Sequence, residues 1–301
     1  MQHTLKKSYT FSGKGLHTGA SVNMTIHPAP AGSGIVFLRS DIGPEATVAA
    51  LATNVGPTTR STTLRSGSVS VSTIEHLMSA AAGLGIDNML VELDAEEVPI
   101  LDGSALPYVR AIAADGLLEQ DAPRKFLTLE QPFHYEEPES GATIDILPAE
   151  EPAMKLTVDF NSKVLGMQSF AYSSGIDYAS EIAPCRTFCF LHELEFLLSK
   201  GLVRGGDMDN AIVIVEHPIS PESIERLKAF FGIRQIEVRQ GYLNNLQLYF
   251  PDEIVRHKML DMIGDFALLG APLKGTIIAS KTGHRINTGV CKTLLESGLL
   301  K

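Results

Sequence analysis

A polar, proline-bearing break at Asp121-Ala122-Pro123-Arg124 divides the chain into two patterned stretches, and this division constrains the fold more than any other feature. Before it, Ser21-Val22-Asn23-Met24-Thr25-Ile26 alternates as a half-buried strand does, and Ile35 to Leu38, Val69 to Ser72 and Met89 to Leu93 read as further strands. A helix is expected from Ile74 to Ala82, with Thr73 as N-cap and Gly83 and Gly85 supplying the C-cap, and a second from Leu106 to Ala114. After the break, strands are expected at Phe126 to Leu129, Ala142 to Leu147, Lys155 to Phe160 and Gly275 to Ala279, with a helix over Val255 to Leu269. A chain of 301 residues exceeds what one core comfortably fills, so two domains are expected, 1–122 and 123–301. Sheets mixed with helices in both predict an α+β or α/β arrangement. Within the second, Arg186 to Val215 reads as an insert of about 186–215, built on a leucine-rich helix from Leu191 to Ser199.

Charge and cysteine usage exclude several classes. The 25 Lys and Arg are outnumbered by 35 Asp and Glu, and the net charge of −10 argues against nucleic acid, which needs a basic footprint. The N-terminal Met1 to Ser8 has two lysines but no apolar run, so it does not read as a signal peptide. No stretch approaches the roughly 20 apolar residues of a membrane span, so no stable membrane insertion is expected. Cys185, Cys189 and Cys291 are odd in number and cannot form a disulfide framework; Cys185 and Cys189 sit four apart with no second Cys or His pair at zinc-ribbon spacing, and all three are read as buried thiols. A cytoplasmic protein is expected.

Chemistry concentrates in three short segments. In His257-Lys258-Met259-Leu260-Asp261 the histidine and aspartate lie four apart, on one helix face at Cβ separations of about 5–6 Å, where two side chains can converge on a cation. Glu75-His76 at a helix start pairs a metal-binding imidazole with a carboxylate able to reach a bound water. Two histidines and an aspartate leave the fourth tetrahedral position for that water, as catalytic zinc requires. Gly283-His284 is expected at a loop tip beside the strand ending at Ala279, with Asp265 one turn beyond Asp261 placed to orient the imidazole and raise its pKa. By spacing alone, each of these has a bland alternative: a surface pair, an ordinary loop histidine. Two histidines and a carboxylate also form the facial triad of non-haem iron oxygenases, and a sugar-nucleotide binding protein with a structural metal is a further reading.

Gly15-Leu16-His17-Thr18-Gly19, Val71-Ser72-Thr73-Ile74-Glu75-His76-Leu77, Gly83 to Asn88 and Pro99-Ile100-Leu101-Asp102-Gly103-Ser104-Ala105 stand in this order in the first half. Arg186-Thr187-Phe188, Gly201 to Val215, Arg256 to Gly264 and Gly283-His284 follow in the second. Together they resemble the UDP-3-O-acyl-N-acetylglucosamine deacetylases of lipid A biosynthesis, over nearly the whole chain. The resemblance implies an α+β fold of two domains with similar topology, each a sheet packed on a pair of helices, with the site between them. It implies a monomeric, zinc-dependent amidohydrolase whose partner is an acylated UDP-sugar. His76, His257 and Asp261 would bind zinc and Glu75 would be the general base. Thr187, Lys258 and protonated His284 would stabilise charge at the reacting carbonyl, with Asp265 behind His284. The insert would form a hydrophobic passage for the acyl chain, contacted by Leu16, Phe188, Leu194, Leu197, Val203, Met208 and Ala211.

Overall fold

The computed structural model describes residues 1–199, 204–243 and 247–301. Alternation works as expected in the central strands: Val22, Met24 and Ile26 face inward from Ser21–Pro28, and Ala142, Ile144 and Ile146 from Ala142–Leu147. Strand partners then assemble the same sheet twice. The first sheet has the spatial order Tyr9–Lys14, Ser21–Pro28, Met89–Leu93, Ile35–Arg39, Thr47–Ala49. The second has Phe133–Glu137, Ala142–Leu147, Thr276–Ser280, Ala153–Asp159, Met167–Ser173. In each, the last strand in sequence is inserted at the centre, antiparallel to the second strand and parallel to the third. The fold is α+β with two halves of one topology.

Helices fill the space between the fourth and fifth strands and follow the fifth. In the first half these are α1 (Glu75–Leu84) and α2 (Leu106–Ala113). The second half adds α3 (Tyr178–Glu181), then α4 (Leu191–Ser199) and α5 (Pro221–Phe231) in an inserted region, then α6 (Glu253–Phe266) and α7 (His284–Ser297). The inserted region has its own sheet, ordered Phe188–Phe190, Ile212–Ile214, Tyr242–Leu243, Val238–Arg239, so it draws strands from well beyond Val215. Leu191, Leu194, Leu197, Val213, Val215, Leu227 and Leu243 form its core.

α1 and α6 meet face to face at the seam between the halves. Gly264 allows it: a Cβ there would lie 2.1 Å from the carbonyl oxygen of Glu75, so any side chain would force the helices apart. Along α6, Arg256 and Lys258 alone escape full burial, although the helix carries Glu253, His257, Asp261 and Asp265. Buried ionisable groups need partners or a ligand, and this helix points directly to the site. One apolar cluster, including Leu77 and Met78 of α1 and Met259, Leu260 and Met262 of α6, runs through both halves.

Two local expectations change. Thr73 is not the N-cap of α1: its backbone is left-handed (φ 58°), Ile74 precedes the helix, and the Thr73 hydroxyl donates to buried Glu97 at 2.8 Å. Gly83 lies inside α1, and Gly85 (φ 80°) is the left-handed C-cap. Cys185 and Cys291 are buried free thiols as read, whereas Cys189 is only half-buried. Among the described residues no helix is long and apolar enough to cross a membrane.

Candidate metal centre

The alanine-rich run of α1 is a strong helix former, and its first turn carries Glu75 and His76, which are 4% and 6% exposed. The middle of α6 faces that turn with His257 and Asp261. Asp261 Oδ1 lies 3.5 Å from His257 Nε2 and 3.7 Å from His76 Nε2. Ligands on a tetrahedral zinc, each at about 2.0–2.2 Å, stand about 3.3–3.5 Å apart, and both contacts of Asp261 Oδ1 are close to that spacing. Among the described residues they form a His/His/Asp group with all ligand atoms within 4.8 Å of one another.

The protonation states suit a cation. Burial and the neighbouring His257 depress the His76 pKa to about 3, and burial lowers that of His257 as well, so both imidazoles are neutral donors. His257 Nδ1 lies 3.1 Å from the carbonyl oxygen of Cys185; donating there leaves the Nε2 lone pair facing the cluster. Burial works against an Asp261 anion, but His257, Lys258, His284 and His76 outweigh it and hold the carboxyl well below its usual range. Asp261 Oδ2 accepts from Lys258 Nζ at 2.8 Å, while Oδ1 is buried without any hydrogen-bond partner. A buried anionic oxygen left unpaired is costly; a divalent ion between it and two neutral imidazoles satisfies it. The donor set fits zinc.

Around these three stand the titratable side chains of Glu75, His284 and Lys258. Burial, reinforced by the charge of Asp261, pushes Glu75 up to about 7. Glu75 Oε2 accepts the backbone N–H of Thr62 at 3.0 Å, and Oε1 lies 3.8 Å from His284 Nε2. His284 is the first residue of α7, not a residue of a loop tip. Its ring nitrogen Nδ1 lies 3.0 Å from Asp265 Oδ2. Burial opposes the imidazolium, yet Asp265, Glu75 and Asp261 prevail and lift His284 to about 9. Burial likewise opposes the Lys258 ammonium, and Asp261, Asp265 and Glu75 more than offset it, keeping its pKa above the usual lysine value.

A cavity of about 330 Å³ opens onto this cluster. Its wall includes Glu75, His76, Thr187, His257, Lys258, Asp261 and His284, and extends over Leu16, Phe188, Leu197 and Ala211. Leu194 and Met208 lie instead in and against the core of the inserted region, and Val203 is outside the described residues. Asp265 is fully buried behind His284.

Spacing gave no sign of several buried neighbours of the cluster. Glu97, 1% exposed, accepts the backbone N–H groups of His17 and Thr18 and the hydroxyls of Thr18 and Thr73, fixing the Gly15–Gly19 loop beside the start of α1. Thr62 and Asn287 both donate to Asp265. These bonds join positions up to 203 residues apart, which no local periodicity encodes. His17 does stand in one of the quoted motifs, and it lines the cavity with its Nε2 buried and unpartnered.

Comparison with known proteins agrees with this geometry. The model of the family described as LpxC, UDP-3-O-acyl N-acetylglycosamine deacetylase, matches residues 2–228 and 236–296. A "Bifunctional enzyme LpxC/FabZ" of Porphyromonas gingivalis is 42% identical over 294 residues, 97% of this chain and 64% of that protein. This chain therefore spans just under two thirds of the bifunctional relatives it matches. UDP-3-O-acyl-N-acetylglucosamine deacetylases of Teredinibacter turnerae (42% over 298 residues) and Myxococcus xanthus (43% over 296) match 98% of this chain, and 90% and 86% of their own lengths. A family match across nearly the whole chain and relatives above 40% identity decide the matter: this protein belongs to the UDP-3-O-acyl N-acetylglycosamine deacetylase family.

Proposed function

We propose that this protein hydrolyses the N-acetyl group of a UDP-3-O-acyl-N-acetylglucosamine, releasing acetate and a free 2-amino sugar nucleotide, the committed step of lipid A biosynthesis. The observation that carries the reading is the unpartnered Asp261 Oδ1 between two neutral imidazoles, with Glu75 and His284 on either side. His76, His257 and Asp261 would hold zinc, which when bound would supply Lewis acidity and lower the pKa of a water from 15.7 toward about 7.

The chain's own groups do the rest. Glu75, poised near neutrality, accepts the proton of the attacking water through Oε1 as the new C–O bond forms. Negative charge gathers on the amide oxygen, where the Lys258 ammonium and the Thr187 hydroxyl stabilise it. Breaking the C–N bond sends its electron pair to the amine nitrogen, a poor leaving group unless protonated, and His284 Nε2–H donates that proton. Asp265 holds the opposite edge of the ring. Leu16, Phe188, Leu197 and Ala211 receive the start of the acyl chain, and the leucine-rich core carrying Leu194 and Met208 backs them.

The two-domain division at 122/123 is part of this reading. Pairing of Gln2–Leu5 with Leu117–Gln120 closes the first domain, and the bridge of Leu129 to Leu300 closes the second. Both support that boundary. The test is mass spectrometry of acylated UDP-N-acetylglucosamine incubated with zinc-loaded protein. Loss of one acetyl group with release of acetate is expected; substrate unchanged by zinc-loaded protein overturns the proposal.

A further inference from the structure

Thr62 is fully buried just ahead of the Thr63–Ser66 strand, and every polar group it owns is engaged at the seam between the halves. Its N–H donates to Glu75 Oε2 at 3.0 Å, and its carbonyl accepts the N–H of Ile74 at 3.4 Å, one residue before that glutamate. Its hydroxyl crosses the seam and donates to Asp265 Oδ1 at 2.6 Å. The remaining side-chain bonds to the Asp265 carboxylate come from α7: Asn287 Nδ2 to Oδ2 at 2.9 Å, and His284 Nδ1, which lies 3.0 Å from Oδ2 and 3.2 Å from Oδ1.

We infer that Thr62 is a positioning residue that sets the proton acceptor and the proton donor of this site together. A carboxylate has two equivalent oxygens, and its terminal torsion is broad. An amide donor fixed on Oε2 breaks that equivalence: it lowers the basicity of Oε2 and leaves Oε1, the oxygen 3.8 Å from His284, to take a proton. Asp265 faces the same indeterminacy. Its Oδ1 is fixed by the Thr62 hydroxyl from the first half and its Oδ2 by Asn287, so the carboxylate presents the edge between its oxygens to His284 Nδ1, and the ring is turned with Nε2 toward the cavity. The β-branch of threonine restricts χ1 and keeps the hydroxyl on this line. The amide restrains the base and the hydroxyl restrains the acid, so one residue in the first half holds the two groups in register across the seam.

This inference rests on the deacetylase reading, and the experiment separates the two. Wild type, Thr62→Val and Thr62→Ser are compared for kcat and KM of acetate release, zinc per chain, and the ring 15N resonances of His284. Removing an outer hydrogen-bond partner of this kind costs about 10–100-fold. Thr62→Val is expected to lose that much kcat with KM and zinc content as in wild type, and to shift the His284 resonances; Thr62→Ser recovers most of the loss. A valine variant with wild-type kcat and unshifted His284 resonances overturns the inference, as does a loss that appears wholly in KM or zinc content. If the valine variant does not fold, Thr62→Ala carries the same comparison. If wild type releases no acetate, the deacetylase reading has failed, and the His284 resonances alone decide: shifted in the variant supports the tether, unshifted removes it.

Discussion

The two halves build one sheet order twice yet contribute unlike chemistry. The first offers the opening turn of α1, where Glu75 and His76 sit side by side; the second offers the middle of α6 and the first residue of α7. Between the fourth strand and the helix that reaches the seam, the first half has a short hairpin, Thr63–Ser66 with Val69–Ser72, and the second has the whole inserted region. The contrast separates two jobs. The repeated topology brings a helix from each half to a shared seam, and the side chains diverge there in the way the proposed reaction requires, with a base on one side and a metal-anchoring pair and an acid on the other.

Stripping the proposed metal with a chelator is the harshest way to break this division, since His76 of one half and His257 and Asp261 of the other would share it. Activity should fall to background and return with zinc, and Asp261→Asn should show the same loss with sharply weaker zinc binding by elemental analysis. Glu75→Gln tests the first half's separate task. A drop in kcat of about 10²–10⁴-fold with zinc still bound is expected, and loss of zinc instead would make Glu75 a ligand.

The pH profile sharpens the assignment of opposite roles. Glu75 must be deprotonated, so activity rises through a pKa of about 7; His284 must be protonated, so activity falls as pH rises through about 9. The active window lies between the two, and a bound divalent cation, by favouring the anion and opposing the imidazolium, moves both limbs to lower pH. His284→Ala should abolish the alkaline limb, and an unchanged limb would remove His284 from the acid role. The smallest effect belongs to the inserted region: Ala211→Phe narrows the cavity wall and should shift the preferred acyl length by about 10-fold in kcat/KM between neighbouring chain lengths. Equal ratios in variant and wild type would detach Ala211 from chain selection.

Much of this was legible because it is local. Inward alternation marks Ser21–Pro28 and Ala142–Leu147, and the four-residue step from His257 to Asp261 places both on one face of α6. Edge strands were not legible: Met167–Ser173 is exposed or half-buried at every position, so no apolar period announces it. α7 was hidden because its buried face mixes Ile286, Val290 and Leu294 with Asn287 and Thr288, which read as loop residues until Asp265 and the His284 carbonyl are seen to bond them. Thr73 looked like a cap since hydroxyl residues commonly precede helices; a buried carboxylate elsewhere in the half claimed its hydroxyl.

Backbone against backbone at Gly264 also fixes how the molecule can admit a ligand. At this one point the two backbones are in direct contact, so parting the halves would lift α6 off the Glu75 carbonyl and open the apolar cluster around it. A molecule that enters the cavity meets Leu16 and His17 of the Gly15–Gly19 loop on one wall and Phe188, Cys189 and Leu197 on another, so these two segments frame the approach to the cluster.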